Sequence, residues 1–199
     1  GVLNENRLLQ HRLIYGYYPD SVNNQGDETD LLKNLADSYL FKDILALGNI
    51  RKPIQLEKLV QALALQIGSE VSYHELGQTI EADKQTVERY IYLLEQCFVV
   101  FKVNAYSKNL RNEIKKSKKI YFYDNGIRNA VIQNFGALTL RQDNGALFEN
   151  YIIAEYLKKS NNERKFAKYY FWRSFQQQEI DLIEEIDGNL NAIEIKWNE

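Results

Sequence analysis

Four residues have the types and spacing of a site for a hard cation: Glu149, Asp181, Glu194 and Lys196. Three of them lie in the run 178–196, which reads Glu-Ile-Asp-Leu-Ile at 179–183, Asp-Gly at 187–188 and Ala-Ile-Glu-Ile-Lys at 192–196. Asp-Gly between two alternating runs signals a hairpin, because a type I′ turn needs positive φ at both central residues. A turn at Asp187-Gly188 sets Asp181 opposite Glu194 and Glu179 opposite Lys196. Alternation puts these four on one face and Ile180, Leu182, Ile193 and Ile195 on the other, the expected core face. Two opposed carboxylates with Cβ atoms roughly 5 Å apart repel by about 3 kcal/mol at an effective dielectric of ~20. A divalent cation removes that cost, and oxygen ligands of this kind suit Mg²⁺ or Mn²⁺. The competing expectation is a solvated face with a Glu179–Lys196 cross-strand ion pair.

The elements that must position this set come next. Residues 144–157 read as a helix in which steps of three and four from Glu149 reach Gly145, Ala146, Ile152, Ile153 and Tyr156. Glu149 thus lies in an apolar stripe, where a carboxylate needs a partner. Glu155 lies off the stripe and reads as surface. Tyr169–Arg173 is an aromatic strand expected to pair beside the strand at 179–186.

The 199 residues suffice for one large domain or two small ones, and 45% hydrophobic with 26% charged residues is ordinary for a globular protein. No apolar run nears eighteen residues and no signal peptide is visible, so the expected location is cytoplasmic, without a membrane. The single cysteine, Cys97, excludes an intrachain disulfide and reads as a core filler; with His11 and His74 it cannot make a conventional zinc site. A net charge of −2 means that any nucleic-acid surface must be local. The chain starts on Gly1, has no methionine and ends three residues after Lys196, so it is expected to be a piece of a longer protein.

Residues 3–18 open with a helical pattern that Gly16 and Pro19 break, and 21–30 read as a polar loop. Thr29 or Asp30 is expected to cap a helix from Leu31 to about Leu47, and Pro53 marks a break before a helix at 56–67 ended by Gly68. Ser72-x-x-Glu75 is a capping box for a short helix, and Asp83 caps a longer one over 84–96 with Val87, Tyr90, Ile91 and Leu94 as its core stripe. Strands are expected at 98–103 and 120–124. This is the rhythm of a winged helix, with Lys84, Gln85, Glu88, Arg89 and Tyr92 on the outward face of the recognition helix. That set is mixed in sign, which argues against sequence-specific readout. Residues 102–119 carry Lys102, Lys108, Arg111, Lys115, Lys116, Lys118 and Lys119 against the single acid Glu113. This segment suits non-specific phosphate binding; the competing expectation is a solvated loop or a surface that docks on an acidic partner domain. Residues 126–138 read as transitional.

Glu149, Asp181 and Glu194-x-Lys196, in the order helix, strand, strand, resemble the PD-(D/E)XK nuclease superfamily. That resemblance implies metal ligands at Glu149, Asp181 and Glu194 and a water-orienting Lys196. More widely, Arg12-Leu-Ile-Tyr-Gly-Tyr-Tyr-Pro19, Ser38-Tyr-Leu-Phe-Lys-Asp-Ile44, Val71-Ser-Tyr-His-Glu-Leu-Gly77, Tyr121-Phe-Tyr-Asp-Asn-Gly126 and Gly145-Ala-Leu-Phe-Glu-Asn150 resemble the C-terminal region of a prokaryotic P-loop (AAA-type) ATPase family. The resemblance spans nearly the whole chain. It implies an α/β fold in three parts: a helical connector (1–50), a winged helix (51–135) and a truncated nuclease-like domain (136–199). No Gly-x-x-x-x-Gly-Lys-Ser/Thr loop is present, so ATP belongs to an ATPase domain outside these residues. The implied partners are that ATPase domain and DNA, and the leading expectation is metal-dependent phosphodiester hydrolysis or a nuclease-derived DNA clamp. The alternatives are a non-catalytic DNA- or protein-binding module and a homo-oligomerisation or adaptor domain.

Overall fold

Side-chain caps start the central helices. Ser72 Oγ accepts from Glu75 N at 3.4 Å to open α6 (Tyr73–Ile80), and Asp83 Oδ1 accepts from Thr86 N at 2.7 Å to open α7 (Lys84–Gln96). These bonds satisfy N–H groups that the first turn leaves unpaired. Between the caps the chain turns tightly. A Cβ on Gly77 would lie 2.6 Å from the Ala82 carbonyl oxygen, so α6 and α7 meet only because that side chain is missing. The expected stripe of Val87, Tyr90, Ile91 and Leu94 is buried.

The computed structural model describes residues 2–24, 26–48, 50, 52–107, 117–174, 176 and 178–197. Its class is the α/β one expected. Ahead of α6 stand α1 (Val2–Tyr15), α2 (Pro19–Asn23), α3 (Glu28–Asn34), a π-helical turn at Leu35–Leu40, α4 (Phe41–Gly48), α5 (Pro53–Leu65) and the short β1 (Glu70–Val71). After α7 come β2 (Val100–Ala105), β3 (Lys118–Phe122), α8 (Asn125–Val131), α9 (Asn144–Asn162), β4 (Lys168–Arg173), β5 (Glu179–Ile186) and β6 (Asn189–Ile193). The six strands form one sheet in the order β1-β3-β2-β4-β5-β6. Every pairing is antiparallel except β2 with β4, which run parallel with Asn104 beside Tyr170 and Ala105 beside Phe171. The sheet thus runs unbroken across the boundary expected at 135/136.

Several elements differ from the sequence reading. Residues 21–30 are not all loop: Pro19 at the first turn starts α2, and α3 begins after Asp27 rather than after Thr29 or Asp30. The helix expected over 31–47 is interrupted by the π-helical turn. Residues 126–138 are not merely transitional, because α8 occupies 125–131. Asp124 caps it, accepting from Ile127 N at 3.1 Å, and all seven of its residues are buried. β2 and β3 are displaced from the expected spans by about one turn of pleat, since Phe98 takes a positive φ of 54° and ends the helix–strand turn.

Two hydrophobic cores result. The larger joins α1, α3 and α5 to α8, with Leu13, Leu32, Leu56, Leu59, Leu63, Val87, Ile91 and Leu147 almost wholly buried. The second lies between the sheet and α9, built from Phe101, Val103, Tyr121, Ile153, Ala154, Phe171 and Leu182. Each fully buried Leu or Phe stabilises by roughly 1.5–3 kcal/mol. Among the described residues no helix is long and apolar enough to cross a membrane.

Candidate functional site

The hairpin forms as the Asp-Gly pair requires. Asp187 and Gly188 have φ of 51° and 82°, and Ile186 pairs with Asn189, Glu184 with Asn191 and Leu182 with Ile193. This is the expected register, but the ladder ends at Leu182–Ile193, one pair short of the two acids. Beyond it, Asp181 Oδ2 accepts from the Ile195 backbone N–H at 2.7 Å, so this carboxylate holds the chain after β6. Glu194 turns to its own neighbour, with Oε1 2.5 Å from Lys196 Nζ, and both side chains are more than half exposed. The Glu194 charge raises the Lys196 pKa through that bond. Lys196 does not pair with Glu179.

Glu179 pairs instead with Lys119 of β3, at 2.5 Å. The same ammonium lies 3.2 Å from Glu149 Oε1 on α9 and 5.4 Å from the centre of the Phe171 ring, and Lys119 is only 3% exposed. Tyr121, two residues along β3 and hence on the same face, donates its hydroxyl to Glu149 Oε1 at 2.5 Å. Glu149 Oε2 is 3.3 Å from where Gly68 (φ 75°) would carry a Cβ, so a glycine lets the chain pass close to the carboxylate. A register shift opposite Phe171, between Tyr170 and Trp172, breaks the alternation of β5. Such a bulge re-aims side chains. Leu182 thereby reaches the core under α9, while Glu179 reaches Lys119 beside it. Ile193 and Ile195 pack on that core as expected, and Ile180 pairs with Trp172 outside it.

The electrostatics follow from burial. Burial is the largest influence on Glu149 and pushes its carboxyl above the ordinary range, with Asp181 adding to the rise against the pull of Lys119 and Tyr121. Burial opposes the charge on Lys119, yet Glu149 and Glu179 together carry its pKa upward. Burial, then Glu149, raises Tyr121, which keeps its proton and donates it. Lys119 is the cationic centre of a cluster drawn from β3, α9 and β5.

The residues that the nuclease resemblance implies as metal ligands each have other bonding partners in this structure, while Asp181 still lies near enough to act on both Glu149 and Lys196. Glu149 is bonded to Lys119 and Tyr121, Asp181 to a backbone amide, and Glu194 is exposed against Lys196. Among the described residues no three His, Cys, Asp or Glu side chains converge as a metal group.

The residues expected to meet phosphate divide. Lys84, Gln85, Glu88, Arg89 and Tyr92 all lie exposed on α7. Lys102 is bonded to Glu95 at 2.6 Å, Lys118 lies 5.1 Å over the Tyr73 ring, and Lys119 is buried. Lys108, Arg111, Lys115 and Lys116 lie outside the described residues.

Sequence reasoning missed the polar groups that lock α9 in place. Asn150 is fully buried and holds both the N–H and the carbonyl of Phe122, at 2.7 and 3.0 Å. At the start of α9, Asp143 takes Arg128 at 2.6 Å and Arg141 through both of its carboxyl oxygens at 2.8 Å. Burial opposes the Asp143 charge, but the two guanidinium groups lower its pKa to about 2. The available signal was alternation on β3, which puts Lys119 and Tyr121 on one face.

With this geometry established, comparison with known proteins assigns the chain. Residues 6–138, well over half of it, match the model of the domain of unknown function DUF8612. The chain belongs to the DUF8612 family. Residues 144–199 match a second model, the domain of unknown function DUF4143. The DUF8612 segment ends just before α9, and the DUF4143 segment begins with it. An uncharacterized protein of Mycobacterium tuberculosis is 26% identical over 163 residues, which cover 80% of this chain and 36% of the relative. One from Haemophilus influenzae is 25% identical over 153 residues, covering 73% and 36%. One from Methanocaldococcus jannaschii is 32% identical over 100 residues, covering 50% and 21%. The chain thus spans little more than a third of the length of the first of these relatives. No solved structure matches it.

Proposed function

We propose that this chain is a non-catalytic DNA-binding module serving a P-loop ATPase domain carried elsewhere in the full-length protein. The observation that carries the reading is α7. Its outward face, Lys84, Gln85, Glu88, Arg89 and Tyr92, is exposed while its opposite stripe is buried. The order α5, β1, α6, α7, β2, β3, with β3 between β1 and β2 in the sheet, supports reading this region as a winged helix. In that fold a helix in this place enters the major groove. The mixed signs on α7 favour backbone binding over base readout. The ATPase link rests on the motifs shared with that family and on relatives nearly three times the length of the matched stretch.

Binding to a fluorescent 20–30 base-pair duplex, measured by anisotropy across a salt series, tests this reading. Affinity should be similar for unrelated sequences and fall with salt. The double variant Lys84→Ala/Arg89→Ala should weaken binding and reduce the slope of log K against log[salt] by about 0.9 for each DNA phosphate no longer neutralised. Absence of salt-dependent DNA binding in the native chain would instead favour a protein-facing α7.

A further inference from the structure

One of the carboxylates implied as a metal ligand, Glu149, is already held by a side chain, which also holds Glu179. Lys119 projects from β3 into the space between Glu149 and Glu179, touches both, and is closed off from solvent with only 3% of its surface exposed. Its ammonium lies against the Phe171 ring, and Tyr121 donates to the same Glu149 oxygen that the ammonium touches. The lysine of the neighbouring hairpin does not compete for this position, because Lys196 is exposed against Glu194.

We infer that Lys119 is the resident cation of this cluster. Its ammonium neutralises Glu149 and Glu179 in place of a divalent ion, and it ties the DUF8612 segment to the DUF4143 segment through charge. Lys119 is buried, and the two carboxylates drawn to it are partly enclosed, Glu149 17% and Glu179 30% exposed at the side chain, so they would repel with incomplete solvation without a cation between them. A lysine supplies it permanently from within the chain, without dependence on metal concentration. The native protein should therefore be indifferent to divalent metal here. Removing the ammonium while keeping the stem should leave two facing carboxylates that an external cation can serve. This inference holds whether α7 binds DNA or protein.

Thermal unfolding and calorimetry on the full chain decide it, with MnCl₂ and MgCl₂ as probes. The native protein should show no saturable heat and no change in melting midpoint at millimolar metal. Lys119→Met should melt about 10 °C lower, as expected when one partner of a buried ion pair in a domain of this size is removed. Mn²⁺ should recover part of that loss, in a saturable way that Glu149→Gln in the same background removes. If Lys119→Met does not fold, the native protein and Glu149→Gln alone still carry the test. Saturable Mn²⁺ binding by the native chain that Glu149→Gln abolishes would overturn the inference. So would a folded Lys119→Met variant that ignores metal. Neither result depends on DNA binding, so failure here is distinguishable from failure of the α7 reading.

Discussion

On α7, lysine, arginine and glutamate stand side by side in solvent; beneath α9, a buried lysine gathers two partly enclosed glutamates. The residue types are nearly the same, but their surroundings give them opposite duties. Water screens the exposed charges on α7, so each adds little to stability. In the cluster of Lys119, Glu149 and Glu179 the charges are committed to one another, and removing the lysine takes away the cation that both carboxylates share. Burial, more than residue identity, separates a solvated face from a structural clasp.

That contrast can be broken by mutation, and the largest effect is expected at the N-terminal end of α9. Asp143→Ala leaves Arg128, 2% exposed, and Arg141, 9% exposed, without their shared carboxylate. Urea unfolding should show a loss of about 3–5 kcal/mol, as for other broken buried pairs. A loss below about 1 kcal/mol would mean that these guanidinium groups find other partners and that the α9 side tolerates unpaired charge.

Acid should act on the same side first. The Asp143 pKa is held at about 2, below its unfolded value, so the stability it supplies is complete above the unfolded carboxylate pKa and lost as pH falls towards 2. Melting midpoints from pH 5 to pH 2 should fall steeply in the native chain and less steeply in Asp143→Asn. Parallel curves would remove Asp143 as the source.

Smaller changes are expected on the α7 side. Asp83→Ala removes the acceptor for Thr86 N–H and should lower the melting midpoint by about 2–4 °C. Lys84→Ala/Arg89→Ala should change unfolding free energy by no more than about 0.5 kcal/mol while weakening DNA binding. A large stability change there would mean that the outward face is structural after all.

The legible parts of the molecule were those written in adjacent residues. The caps at Ser72 and Asp83, the stripe of α7 and the Asp187-Gly188 turn each need only a few neighbouring positions, and each formed as expected. The hairpin register was legible too, yet the acids it was expected to align are used for other bonds, because strand pairing stops at Ile193 and a bulge resets β5. Lys119 could not be assigned from its setting among other lysines. Its partners come from two elements far along the chain, and only the sheet order brings them within reach. α8 was missed for a similar reason: a helix buried on all sides lacks the polar face that periodicity detects.

The parallel pairing of β2 with β4 has a consequence for how the chain reaches its native state. Its partners, Asn104 with Tyr170 and Ala105 with Phe171, are separated in sequence by β3, α8 and the whole of α9. Such non-local closure costs chain entropy before it returns any stabilisation, so this seam should form late in folding. Until then, β4 carries an open edge able to capture another strand. The same edge would be bared if residues 144–199 were produced alone, so that piece should self-associate unless β2 is supplied with it.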